Sequence, residues 1–276
     1  MSLFIASLNS GSNGNCYYIG NERDAVLVDA GISCRETERR MLRLGLSMKK
    51  VRAIFVSHEH SDHISGITVL SKKYDLPVYI TPATLQNSGL QLAHRLPVSF
   101  SAYEPVIIGD IAVSAFPKFH DAAHAHSFIL EYLGVKVGVL TDIGAACEHV
   151  KKHFSQCHAA FLEANYDEEM LEKGRYPYHL KRRIRGGFGH LSNTQALEIF
   201  INHRSPHLSH LLLSHLSRDN NRAELVQQLF NQHANGTEII VASRYQESAV
   251  YHISGAPLTE QLHVTVQTGQ MQYSLF

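Results

Sequence analysis

Seven residues, Ser57-His58-Glu59-His60-Ser61-Asp62-His63, constrain this chain more than any other stretch. Before them runs Val51-Arg52-Ala53-Ile54-Phe55-Val56, apolar and β-branched enough for a buried strand. After them comes Ile64-Ser65-Gly66-Ile67-Thr68-Val69-Leu70, whose apolar positions 64, 67 and 70 suit a helix. Three imidazoles and a carboxylate therefore share one strand-to-helix turn. That donor set suits zinc, manganese or iron, softer than a calcium site and harder than a thiolate one. One short turn cannot close two coordination spheres, so further ligands must arrive from distant loops. In a chain with 19 histidines a lone His means little, but His-x-His-x-Asp-His is far from a lone His.

Composition narrows the setting. With 276 residues, 44% hydrophobic and 18% charged, the chain can bury a large core as a globular protein. Formal net charge is zero, which argues against holding nucleic acid by bulk electrostatics and leaves room for a local basic patch. Cys16, Cys34, Cys147 and Cys157 form no C-x-x-C pair, disulfide framework or zinc knuckle. The start, Met1-Ser2-Leu3-Phe4, has no basic segment or long apolar run of a signal peptide, and no stretch is long and apolar enough to span a bilayer. The expectation is a cytoplasmic protein with reduced thiols and no membrane partner.

Along the chain, strands are expected at 3–8 and 16–19, around the Gly/Asn-rich tip Asn9-Ser10-Gly11-Ser12-Asn13-Gly14-Asn15. That tip is either turn chemistry or an N–H surface facing a phosphate. A strand at 25–28 ends in Asp29-Ala30-Gly31, and Ser33-x-x-Glu36 reads as a capping box opening a helix to about Leu44. A strand at 78–80 precedes Thr81-Pro82, the usual opening of a helix. Hairpins are expected at 106–116 and 128–140, with the cluster Phe119-His120-Asp121-Ala122-Ala123-His124-Ala125-His126 between them. Asp142 follows the second hairpin, and a strand at 158–162 ends in Glu163-Ala164-Asn165. From Glu172 to Gly187, Lys173, Arg175, Lys181, Arg182, Arg183 and Arg185 face one acid, Glu172, and lead into Gly189-His190-Leu191-Ser192-Asn193. A strand at 211–213 delivers His215, and a helix near 222–233 and strands near 238–241 and 249–253 complete the body. Strands alternate with helices, and polar residues gather at strand ends, which predicts one α/β domain with its site along one sheet edge.

The ordered set His58-x-His60-x-Asp62-His63, His120, Asp142 and His215 resembles that of the metallo-β-lactamase superfamily over nearly the whole chain. The resemblance implies an α/β fold, the four-layer αββα sandwich, with two divalent ions, zinc or manganese, at its rim. His58, His60 and His120 would hold one metal, Asp62, His63 and His215 the other, with Asp142 bridging and Asp29 bracing the turn from behind. Residues 1–258 would form this domain and residues 259–276 a terminal strand and tail. Gly11-Ser12-Asn13-Gly14-Asn15, Phe119-His120-Asp121-Ala122, Gly174-Arg175-Tyr176-Pro177, Gly189-His190-Leu191-Ser192-Asn193 and His215-Leu216-Ser217 with Asn220-Asn221 further resemble the YycJ/WalJ branch, taken to be bacterial DNA exonucleases. One departure is His124-Ala125-His126-Ser127 where the branch carries a glycine, and it leaves His124 and His126 as alternatives to His120.

The chemistry fits. Two metals roughly 3.5–4 Å apart can clamp the attacking and leaving oxygens of a phosphodiester. The displaced sugar oxygen needs a proton, and His190 is the candidate general acid, with Asp62 and Asp142 the other catalytic candidates. Arg182, Arg183, Arg185 and Asn193 are the candidate nucleic-acid contacts. The function implied is a metal-dependent phosphodiesterase, a DNA exonuclease running 5′ to 3′ in repair or replication. The alternative is a small-molecule ester, thioester or cyclic-phosphodiester hydrolase on the same fold, which needs neither the basic segment nor His190. A flavin-linked diiron protein would place a carboxylate where His60 stands. The β-CASP nucleases insert a large domain where only 47 residues separate Asp142 from His190. A transfer-RNA 3′ processor would carry a long exosite arm, and a binding module would lose ligands. Finally, Gln272-Tyr273-Ser274-Leu275-Phe276 resembles the peptide by which bacterial replication and repair proteins bind the sliding clamp, with Gln272, Leu275 and Phe276 as its contacts. The same residues could instead pack on the body or follow an edge strand at 263–266.

Overall fold

The computed structural model describes residues 2–255. The expected strand at 263–266 and the tail residues Gln272, Leu275 and Phe276 lie outside them. Strands β1 (Ser2–Asn9), β2 (Cys16–Gly20), β3 (Ala25–Val28), β4 (Val51–Phe55), β5 (Val78–Tyr79) and β6 (Pro97–Val98) form one sheet. Strands β7 (Val106–Ile108), β8 (Ile111–Pro117), β9 (His126–Tyr132), β10 (Val135–Leu140), β11 (Ala159–Glu163), β12 (His210–Ser214) and β13 (Glu238–Val241) form the other, and β14 (Tyr251–Ser254) returns to flank β1.

Both sheets begin antiparallel and turn parallel. In the first, β1, β2 and β3 are antiparallel neighbours and β3 to β6 run parallel. In the second, β7 to β10 are antiparallel and β10 to β13 parallel. Parallel neighbours need a crossover. Helices α1 (Cys34–Arg43), α2 (Ser61–Ile64), α3 (Ile67–Tyr74) and α4 (Pro82–Ser88) supply it in the first half. In the second half it comes from α5 (Glu148–Phe154), α6 (Glu168–Lys173), α7 (Tyr178–Arg185), α8 (Asn193–His203) and α9 (Ala223–Asn231). Every parallel strand thus delivers its carboxyl end to the same rim.

Three apolar clusters fill the spaces between four layers. Leu3, Tyr17, Val28 and Phe55 of the first sheet meet Phe128, Val137, Phe161 and Leu212 of the second. On the outer faces, Ile54 and Leu27 pack on Met41, Ile67 and Leu70, while Leu162 and Leu213 pack on Phe154, Phe200 and Phe230. Each fully buried Leu or Phe contributes about 1.5–3 kcal/mol. This is an αββα sandwich.

Two local readings change. The helix expected from Ile64 is split into α2 and α3, because Ser65-Gly66 meets the chain leaving β3. The Gly66 N–H donates to the Ala30 carbonyl at 2.8 Å, and a Cβ on Gly66 would lie 1.9 Å from the Ile32 carbonyl oxygen. The Ser33 cap forms, with its hydroxyl accepting from the Glu36 N–H at 3.2 Å, but the Glu36 carboxylate pairs with Arg39 and Arg40. At Ser192 the reciprocal capping box with Gln195 is complete.

Candidate metal centre

The turn after β4 is built from behind. The Asp29 carboxylate accepts from the Ser57 N–H and hydroxyl, each at 2.8 Å, and from His63 Nδ1–H at 2.7 Å. That bond commits Nδ1 and turns His63 Nε2 into the site. The Gly-rich tip braces the same turn. The Asn15 N–H donates to the Asp62 carbonyl at 2.7 Å, and Asn15 Nδ2 stands 3.1 Å from both Asp62 Oδ2 and His63 Nε2. The N–H groups of Gly11, Gly14 and Asn15 are spent inside the protein, which is turn chemistry for that part of the tip. Gly31 is required by contact: a Cβ there would lie 1.7 Å from the Asp62 carbonyl oxygen.

His58 Nε2 and His120 Nε2 lie 3.1 and 3.3 Å from His60 Nδ1. Four-coordinate zinc with Zn–N near 2.0–2.1 Å would set such nitrogens about 3.3 Å apart. Asp62 Oδ2 lies 3.5 Å from His63 Nε2 and 3.4 Å from His215 Nε2. Asp142 stands between the two groups, with Oδ2 3.1 Å from His63 Nε2 and Oδ1 3.9 Å from His120 Nε2. Asp142 Oδ2 is buried without a hydrogen-bond partner, an orphaned anion oxygen that a cation would satisfy. The donor set therefore fits divalent metal ions. His124 and His126 fall outside these groups; His126 is buried at the start of β9 with its ring against Phe100.

Asp29, Asp142 and His215 each follow a strand with positive φ, 60°, 54° and 57°. Left-handed backbone is uncommon for residues with a Cβ and marks places where surrounding structure imposes the turn. Here it swings three strand-end side chains into one site. The charges are strongly mutual. Burial pushes the Asp142 carboxyl up, but His215 and His63 outweigh it and hold it well below the carboxylate range. Burial pulls His215 down, yet Asp142, Asp62 and Glu163 lift it to about 10. The carboxylates thus make His63 and His215 more basic, and a cation entering there competes with protons for the same nitrogens.

Glu163 was not singled out from sequence. It is fully buried at the end of β11, where Oε1 accepts from His190 Nδ1–H at 2.8 Å and His215 Nδ1–H at 3.0 Å. Oε2 accepts the N–H groups of Ile143 at 2.7 Å and Leu191 at 3.1 Å. Burial raises its pKa, and the two imidazoles overcome this and hold it at about 2. An acid closing an otherwise apolar strand, Ala159-Ala160-Phe161-Leu162-Glu163, was the available signal. Asp142, Glu163, His190 and His215 also sit close enough to form a further ligand group, but Glu163 already takes both imidazole Nδ1–H bonds. His190 is thereby oriented, partly exposed, beside His120 at 5.4 Å between ring centroids. Lys118, also unforeseen, is buried and donates to the carbonyl of Thr141, just ahead of Asp142.

The expected nucleic-acid contacts divide. Asn193 is only 2% exposed and forms a reciprocal amide pair with Asn221, at 3.0 and 2.9 Å, so it is a structural residue and that expectation is corrected. Arg183 pairs with Asp121 and Arg185 with Glu172, and Lys173 pairs with Glu169. Arg182 has no ion pair among the described residues, and α7 buries none of its side chains.

Fold and site together define a metal-dependent hydrolase built on a two-sheet sandwich. The chain belongs to the metallo-beta-lactamase superfamily, whose sequence model matches residues 10–180. It is 38% identical over 236 residues to the exodeoxyribonuclease YycJ of Bacillus anthracis, covering 84% of this chain and 89% of that protein. It is 29% identical over 258 residues to the exodeoxyribonuclease WalJ of Streptococcus pneumoniae, covering 92% and 96%. Among solved structures, the metallo-beta-lactamase fold protein YhfI of Bacillus subtilis superposes with a TM-score of 0.70 at 15% identity, over 91% of this chain and all of that one. The short form of human tRNase Z gives 0.61 at 17% identity, over 90% and 99%. These likenesses carry the fold. Among the described residues no helix is long and apolar enough to cross a membrane.

Proposed function

We propose that this protein is a metal-dependent phosphodiesterase acting as a DNA exonuclease. The observation that carries the reading is His190, held by Glu163 beside the two ligand groups. His58, His60 and His120 would hold one divalent ion and Asp62, His63 and His215 a second, with Asp142 between them; zinc or manganese suits the imidazole-carboxylate set. When bound, such ions supply Lewis-acid stabilisation of the attacking and leaving oxygens of a phosphodiester. The chain's own residues do the rest. Glu163 commits His190 Nδ1 and leaves Nε2 to give a proton to the departing sugar oxygen. Asp29 and Asn15 fix the His63 tautomer and the Asp62 carboxylate.

Choice of DNA is supported by the relatives at 38% and 29% identity, both named exodeoxyribonucleases. A 5′-to-3′ direction, a role in repair or replication, a cytoplasmic setting and a sliding-clamp contact through Gln272, Leu275 and Phe276 complete the proposal, on sequence resemblance alone.

Metal-loaded protein incubated with end-labelled duplex DNA, single-stranded DNA and RNA is expected to give a ladder on DNA that starts from the 5′ end. Intact DNA beside rapid turnover of an ester or thioester would replace this reading with the small-molecule alternative. The basic helix gives a second test. Arg182→Glu is expected to weaken DNA binding and lower the slope of log K against log salt by about 0.9, one phosphate contact. Adding Arg183→Glu and Arg185→Glu deepens the loss, less than additively, since both arginines are partly neutralised by Asp121 and Glu172. Equal losses on DNA and on a small diester would assign the helix a folding role.

A further inference from the structure

A cavity of about 170 Å³ is lined by the residues that follow His215, and none of the chemistry above uses it. Its walls join three segments: Leu216 to Arg218 after β12, the first turn of α9, and Val241 to Tyr245 after β13. It is tied directly to the metal centre. Ser10, which also lines it, accepts the His215 N–H at 2.8 Å, and Leu216 is the next residue along, about 3.8 Å of backbone away.

The lining is amphiphilic. Leu216, Val241 and Ala242 supply an apolar wall, Tyr245 stands 74% exposed beside it, and two guanidinium groups line it, that of Arg218 partly neutralised by Asp219 and that of Arg244 without an ion pair among the described residues. Arg244 is held by the Gly-rich tip: its Nη2 donates to Ser12 Oγ at 3.2 Å, and its carbonyl accepts from Asn13 Nδ2 at 2.9 Å. Yet Arg244 Nη1 is buried without a hydrogen-bond partner. A buried cationic donor left unpaired is costly, so an acceptor is called for at this place. Helix α9 starts alongside without a side-chain cap, which adds positive potential to the same wall. An apolar wall, an exposed aromatic ring and guanidinium groups together suit a single nucleotide of a nucleic-acid strand.

We propose that this cavity is a nucleotide subsite. The phosphate of the nucleotide next to the scissile bond would lie on Arg244 and Arg218, with its base against Tyr245 and the Leu216–Val241 wall. The proposal rests on the nuclease reading. It explains why the tip at Ser12 and Asn13 grips Arg244 while Asn15 grips the metal turn: one hairpin sets both the reacting centre and its neighbouring subsite.

The test uses the metal-loaded full chain, with dAMP, deoxyadenosine and inorganic phosphate as calorimetric probes. Wild type is expected to bind dAMP more tightly than either fragment. Arg244→Met, and separately Ala223→Trp, which fills the mouth from an exposed position, should each weaken dAMP at least tenfold. Each should also raise KM on single-stranded DNA by at least tenfold more than on bis(p-nitrophenyl) phosphate, with kcat on DNA largely kept. If Arg244→Met fails to fold, Ala223→Trp carries the test alone. Unaltered dAMP binding in the folded variants, or parallel losses on DNA and the small diester, overturns the subsite. Wild-type protein that leaves DNA intact yet loses dAMP with these variants overturns the nuclease reading and keeps the pocket. Wild type that digests DNA, with variants that match it, does the reverse.

Discussion

Asp142→Ala is expected to abolish hydrolysis and strip metal from the protein more thoroughly than any single change at a surface histidine. The carboxylate is 1% exposed and reaches both ligand groups, one oxygen 3.1 Å from His63 Nε2 and the other 3.9 Å from His120 Nε2. Its removal takes away a buried anionic donor, so a cation placed between the ligand groups loses both a ligand oxygen and the charge that compensates it. We expect at least a thousandfold loss in kcat/KM, about 4 kcal/mol of transition-state stabilisation. Bound metal measured by elemental analysis should drop to half or less of the wild-type content. Asp142→Asn keeps the shape and should lose metal less completely. A fully metallated and active Asp142→Ala protein would remove Asp142 from the proposed centre.

The second large effect separates proton transfer from metal binding. His190→Ala should keep the wild-type metal content and lose about 10²–10⁴-fold in kcat on DNA, the usual worth of a positioned general acid. A diester with a nitrophenolate leaving group departs without a proton, so its hydrolysis should fall by tenfold or less. Glu163 matters here because it fixes which nitrogen of His190 is committed and shares the same oxygen with His215. If metal is lost together with His190, the residue is a ligand, as its closeness to Asp142, Glu163 and His215 would permit. The two variants together therefore distinguish a bridge from an acid.

Much of the site was legible because its signals are local. His58, His60, Asp62 and His63 lie within six residues, and no buried turn collects that many imidazoles without a use for them. Ser33 announced a helix cap, and Thr81-Pro82 a helix start, because capping is satisfied within one turn of chain. Asn193 was misread for a related reason. In sequence it sits in a polar loop before a helix, and only the fold brings Asn221 beside it and buries the pair. The charge of the segment at 172–187 was plain, but its neutralisation was not, since Asp121 lies 62 residues from Arg183.

What the sequence determined by itself was the alternation of strands and helices, the donor atoms and their order along the chain, and the rim on which they had to collect. Those follow from periodicity, capping and the right-handed return of parallel strands, all of which act over short spans. Tertiary structure alone decided which histidine completed the first group. It placed His120 against His58 and His60 and turned His126 toward Phe100. It also joined Glu163 to His190 and His215, and drew Asn15 and Asp29 to opposite sides of His63. Those contacts depend on strand register and on left-handed backbone at Asp29, Asp142 and His215. Packing of two sheets across a shared core imposes both, and no local pattern encodes them.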